Sequence, residues 1–148
     1  MGEEFQYGSQ RERSDRLLVR EGVPRNPVNH YEPNPHSLLG REVTVQIDRP
    51  LGSVHPRHAS LIYLVNYGFV PGTRAPDGEE IDAYVLGIGK PLESFTGVCT
   101  ALLHRADDED DKLIVVPKGF SPTDEQILAA THFQEQYFSV TLVRAATN

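Results

Sequence analysis

Between Ala75 and Ala83 the chain reads APDGEEIDA, which places four carboxylates in six residues beside a Pro-Asp-Gly turn. In an extended segment, side chains two apart share a face and immediate neighbours diverge, so Asp77 and Glu79 converge. Asp82 has the opposite parity and joins them only through a bend, which Gly78 or the turn can supply. A second run, Asp107-Asp-Glu-Asp-Asp111, leads straight into Lys112. Taken singly, each cluster reads as a solvated turn. Taken together, they offer the hard oxygen ligands of Mg²⁺, which keeps several waters and commonly joins one or two carboxylates to substrate phosphates. Lys112, at the edge of the second run, is a candidate partner for a phosphate oxyanion. The bland alternative for Lys112 is a solvated lysine relieving local negative charge. Tyr67 and Tyr137 have hydroxyls able to donate to phosphate, although a buried tyrosine with a backbone partner is commoner.

The elements that must position these groups show in the hydrophobic period. Val43, Val45 and Ile47 alternate with polar residues, which predicts a first strand over 42–47. Ser60 to Val65 is apolar and β-prone, and Asn66-Tyr-Gly-Phe-Val-Pro-Gly72 is expected to turn and extend. Further strands are expected over 81–88, 97–104 and 112–117, with Pro91 and Pro117 near their ends. The two acidic runs then lie at strand ends, able to face each other across a barrel mouth. Ser121-Pro-Thr-Asp-Glu opens a helix expected over 122–137, with Ile127, Leu128, Ala130 and Phe133 at helical spacing. Residues 139–144 fit a closing strand or a second helix. The expected fold is mainly β (α+β): a closed or partly open Greek-key barrel of the OB type, of about five strands with one or two packed helices.

The chain has 148 residues, the size of one ordinary domain. Residues 1–40 are polar and then proline-rich, at Pro24, Pro27, Pro33 and Pro35, so they read as an N-terminal arm before a barrel domain over 41–148. A formal net charge of −7 disfavours a nucleic-acid binder, whose general affinity comes from Lys and Arg on phosphates. The single cysteine, Cys99, excludes an intrachain disulfide, and no long apolar run suggests a membrane span. The N-terminus lacks the charge and apolar middle of a signal peptide, so a cytoplasmic location is expected.

From about Val43 to Tyr137 the motifs resemble the soluble family I inorganic pyrophosphatases, cytoplasmic magnesium enzymes on an OB-like barrel. Asn66-Tyr67-Gly68-Phe69-Val70-Pro71 precedes Asp77-Gly78-Glu79-Glu80-Ile81-Asp82, in the order and spacing of that family's signature. Asp107, Asp110, Lys112 and Leu113-Ile-Val-Val-Pro117 resemble its second acidic loop and the strand after it. His132-Phe133-Gln-Glu-Gln-Tyr137 resembles its helical motif. The resemblance implies Mg²⁺ on Asp77, Asp82, Asp107 and Asp110, a water activated with Asp77 and Glu79, and pyrophosphate held by Tyr67, Lys112, Tyr137 and Arg57, with Arg49 as second choice to Arg57. It also implies a homo-oligomer.

The pattern departs from the family at several points. Glu79 stands where the family has its catalytic aspartate, Gln46 where it has a glutamate, and Phe138 where it has a lysine after the helical tyrosine. The segment from Asp48 to His58 is short. One extra methylene at Glu79 displaces a charge by about 1 Å, and misplacement on that scale costs on the order of a hundredfold in rate. Two other functions stay open: hydrolysis of another phosphoanhydride or phosphate ester, and metal or phosphate binding without turnover.

Overall fold

A computed structural model describes residues 35–75, 78–107 and 110–144. Six strands form one sheet: β1 (Glu42–Arg49), β2 (Asn66–Val70), β3 (Ile81–Val85), β4 (Ser94–Arg105), β5 (Asp110–Val116) and β6 (Val140–Arg144). Their order is β1-β2-β3-β5-β4-β6, and an added β1–β4 pairing closes the first five into a barrel. All the pairings are antiparallel except β3–β5, which is parallel. The expected five-stranded barrel is therefore present, and β6 extends it from β4. The closing-strand reading of 139–144 is the one the chain adopts.

The barrel has an apolar set on each face. The first includes Val43, Val45, Ile47, Val70, Ile81, Ala83, Val85, Cys99, Leu102, Leu113 and Val115, so all five barrel strands contribute and it fills the interior. Leu38, from a 3-10 turn at Pro35–Leu38, joins it. The last residues of the expected arm thus pack on the core. The second set has the opposite strand parity, with Tyr67, Tyr84, Leu103, Ile114 and Val116, and it packs under Ile127 of the helix. Parity alone sends these residues to the outer, helix-covered face.

Two expectations shift. Ser60–Val65 is not a strand: Leu61 and Tyr63 are buried while Ile62 and Leu64 are exposed, and the segment makes only an isolated bridge between Val54 and Ile62. The strand begins instead at Asn66. Its side-chain oxygen accepts from the amides of Leu51 and Leu92, both at 3.0 Å, and its amide nitrogen donates to the Lys90 carbonyl at 2.9 Å. Those three bonds fix where the chain enters the sheet. Inside β2, Gly68 lies so close to β1 that a Cβ there would sit 1.9 Å from the Gln46 carbonyl oxygen.

The helix, α1, runs Asp124–Glu135 and is shorter at both ends than 122–137. Thr123, not Ser121, is the cap: its hydroxyl accepts from the Gln126 amide, whose side chain accepts in return from Thr123. This capping box leaves Pro122 outside the helix. Among the described residues, no helix is long and apolar enough to cross a membrane.

Candidate active site

Strand register assembles the site. Asp82 pairs with Lys112 across the parallel β3–β5 ladder, Arg105 pairs with Asp110 across β4–β5, and Tyr67 pairs with Tyr84 across β2–β3. Residues two apart share a face, so Asp82, Tyr84, Asp110 and Lys112 all project to the side that α1 covers. The acids that converge do so on neighbouring strands, rather than as two loops across a barrel mouth.

Lys112 is the centre of the group, with a fully buried side chain. Its ammonium donates to Asp82 Oδ2 at 2.5 Å and to the Tyr67 hydroxyl at 3.0 Å, and lies 2.9 Å from Asp110 Oδ2. Two of its N–H donors are thus hydrogen-bonded, and Asp110 pairs with it by charge. An ammonium taken from water is costly, and two carboxylates at this range supply the compensation.

A second buried cation stands beside it. Arg105 donates from Nε to Glu135 Oε1 at 2.9 Å and from Nη2 to Oε2 at 2.8 Å, the two-pronged geometry that suits guanidinium and carboxylate. Its Nη1 lies 3.9 Å from Asp110 Oδ2, and its Cζ stands 3.7 Å from the centre of the Phe138 ring. From Glu135 a chain of hydrogen bonds crosses under the helix. Tyr84 donates to Glu135 at 2.6 Å and accepts from Gln134 at 2.7 Å. Tyr63 donates to Gln134 at 2.8 Å and accepts from Arg49 at 2.9 Å. Burial raises the Tyr84 phenol well above the ordinary tyrosine value, and the neighbouring Glu135 charge raises it further, so it remains a donor.

The structure therefore brings together Tyr67, Asp82, Asp110 and Lys112 of the residues expected from sequence. Glu79 is half-buried just before β3, where its carbonyl accepts from the Ala75 amide at 2.6 Å. Asp77 lies outside the described residues. Asp107 is exposed in the β4–β5 turn and accepts from the Ser139 amide at 3.3 Å. Arg57 is exposed, and its amide donates to His55 Nδ1 at 3.0 Å. Tyr137, after the helix, is 39% exposed. Arg49, the second choice for the arginine, is buried on Tyr63.

Sequence reasoning passed over Arg105, Glu135, Gln134, Tyr84 and Tyr63. Gln134 and Glu135 lie on the buried face of a helix read for its apolar spacing, and Arg105 looks like the basic end of a strand. The available signal was parity: Tyr84 is two residues beyond Asp82, and Arg105 follows the apolar pair Leu102-Leu103.

Among the described residues, no group of three or more His, Cys, Asp or Glu side chains is placed to hold a metal ion. The pair that does converge, Asp82 and Asp110, is an all-oxygen donor set. Such a pair fits a hard divalent cation that keeps most of its water.

The site is thus a closed OB-type barrel whose helix covers two paired aspartates, a buried lysine and a tyrosine. The chain belongs to the inorganic pyrophosphatase family, whose model matches residues 22–141. It is 32% identical over 101 residues to an inorganic pyrophosphatase of Aeropyrum pernix, covering 66% of this chain and 51% of that one. It is 33% identical over 132 residues to that of Methanosarcina mazei, covering 78% of this chain and 70% of that one. The chain thus spans about half to seven tenths of the length of these relatives. Among solved structures, the inorganic pyrophosphatase of Ehrlichia chaffeensis superposes with a TM-score of 0.59 at 25% identity, over 70% of this chain and 86% of that one. That of Thermus thermophilus shares the fold, with a TM-score of 0.54 at 22% identity, over 70% of this chain and 83% of that one.

Proposed function

We propose that this chain hydrolyses inorganic pyrophosphate to two phosphates with Mg²⁺ as cofactor. The observation that carries the reading is the convergence of Asp82, Asp110, Lys112 and Tyr67, drawn from two acidic segments and an Asn-Tyr-Gly strand, in a chain of this family. Asp82 and Asp110, with Asp77, would hold the metal, which when bound neutralises phosphate charge and lowers the pKa of a coordinated water. Glu79 orients or deprotonates the attacking water from its half-buried position before β3. Lys112 holds a phosphoryl oxygen by giving up one of its present partners. Tyr67 accepts from Lys112 and can present its own hydroxyl proton to the same phosphoryl group. Little covalent chemistry is asked of these groups, because phosphoryl transfer depends mainly on position and charge. Arg57 and Tyr137 complete the substrate contacts in this reading, and Asp107 a further metal contact.

A second reading is metal or phosphate binding without turnover. It is favoured by the commitment of two buried cations to protein carboxylates, Lys112 to Asp82 and Asp110 and Arg105 to Glu135. A phosphate-release assay with Mg²⁺ across pyrophosphate, triphosphate and nucleotides separates the two. Release from pyrophosphate above the others is expected. Release confined to nucleotides moves the substrate assignment, and no release from any of them, with Mg²⁺ binding intact, leaves the binding reading.

A further inference from the structure

Arg105 is the feature the proposed chemistry does not use. Its side chain is fully buried, its guanidinium is held by the two hydrogen bonds it donates to Glu135 and covered by the Phe138 ring, and its remaining nitrogen faces Asp110 Oδ2 at 3.9 Å. That same oxygen lies 2.9 Å from Lys112. Asp110 therefore sits between two immobilised positive charges. The buried acids of the cluster are Asp82, Asp110 and Glu135, and its cations are Lys112 and Arg105. One negative charge is left over, so the carboxylates are largely neutralised by the protein itself.

We propose that Arg105 is a positioning residue that acts as a built-in cation of the carboxylate centre. Glu135 and the Phe138 ring hold its guanidinium beside Asp110, and its charge opposes entry of a divalent metal at Asp82 and Asp110. The guanidinium cannot lose its proton, and the two-pronged bond and the ring prevent it from swinging away. A divalent ion at Asp110 thus meets a fixed like charge in a low-dielectric setting, where such pairs are poorly screened. Glu135, as the last residue of α1, transmits helix position to this charge, and Tyr84 and Gln134 fix its carboxylate. The inference rests on Asp82 and Asp110 being the metal-binding pair.

The direction of the effect separates this role from a purely structural one. If Arg105 only supported the fold, its loss would loosen Asp110 and weaken metal binding. If its charge opposes the metal, its loss strengthens binding. Calorimetric titration of Mg²⁺ alone into the full chain reads this without turnover, with thermal melting to verify the fold. Arg105→Gln should bind Mg²⁺ more tightly, on the order of tenfold, because a charge a few ångströms from the ion is removed. Arg105→Lys should return towards the parent value. Removing Arg105 leaves Glu135 buried without its cation, so the paired change Arg105→Met with Glu135→Gln is the variant for a chain that otherwise fails to fold. Tighter binding is expected there too, since Arg105 is the nearer of the two charges to Asp110. Folded variants that bind no more tightly than the parent overturn the proposal. If the parent binds and Asp82→Asn abolishes that binding while Arg105→Gln weakens it, the metal reading survives and this inference fails. If the parent does not bind but Arg105→Gln does, the inference stands and the metal reading of the native chain fails. Binding by neither chain overturns both.

Discussion

At the residue scale, Lys112 and its acceptors are the most exacting feature of the site. The Tyr67 hydroxyl does nothing for the apolar packing of its ring, but it is one of three groups around a fully buried ammonium. Tyr67→Phe should cost about 1.5–3 kcal/mol, the usual worth of a hydrogen bond to a charged group, read as a lower denaturant midpoint at unchanged slope. A loss below about 0.5 kcal/mol would mean that water replaces the hydroxyl on Lys112. Asp82→Asn has two consequences with separate readouts: Mg²⁺-dependent phosphate release is abolished, and the melting temperature falls because Lys112 loses its shortest ion pair. At Glu79 the expectation is chemical only, because its side chain is half-exposed. Glu79→Gln should lower turnover about a hundredfold or more with little change in stability, as general-base contributions of that size imply. An unchanged rate removes Glu79 from the role of base.

At the scale of elements, the strands were legible where one face is buried and the other wet, as in β1, whose Val43, Val45 and Ile47 point inward. The segments 60–65 and 66–70 exchanged roles because apolar content does not reveal hydrogen-bond partners. Asn66 fixes the entry to β2 by contacts with Leu51, Lys90 and Leu92, distant in sequence and invisible to any local window. The candidate site was legible by motif for Tyr67, Asp82, Asp110 and Lys112. It was not legible for Arg105 and Glu135, whose pairing depends on a helix crossing a sheet. The β1–β2 contact gives the clearest test of an element. Gly68→Ala would drive a methyl into the Gln46 carbonyl, where the facing atom is backbone and cannot yield. The strands must part, and a loss of about 4 kcal/mol or more is expected from denaturant unfolding, a size reserved for such steric conflicts. No loss, or the gain of about 0.5–1 kcal/mol that alanine brings over glycine in a strand free of conflict, would show that the strands can separate there cheaply.

For the molecule as a whole, two buried acids outside the metal pair link stability to alkaline pH. Burial pushes the Cys99 thiol, inside the barrel, from 9.0 up to about 12, and burial and Glu135 raise the Tyr84 phenol above its ordinary 10.0. Both folded-state values are raised, so the folded chain keeps protons that the unfolded chain releases once pH passes the ordinary values. The stability they contribute is fully present below about pH 9 and is lost as pH rises through the window above it. For Cys99 the slope approaches about 1.4 kcal/mol per pH unit between the unfolded value and about 12, that of one proton. Tyr84 adds to it above pH 10. Chemical denaturation at a series of pH values from 8 to 11 should show a midpoint that is flat and then falls. In Cys99→Ala the fall should begin about one unit later, where Tyr84 starts to contribute, although that variant starts from a lower baseline because of the small cavity it opens. The same burial predicts that a thiol-selective reagent at neutral pH leaves Cys99 unmodified in the folded chain and modifies it fully in denaturant. Labelling of the native protein at the unfolded rate would place Cys99 in a barrel that opens readily, and the alkaline slope would vanish with it.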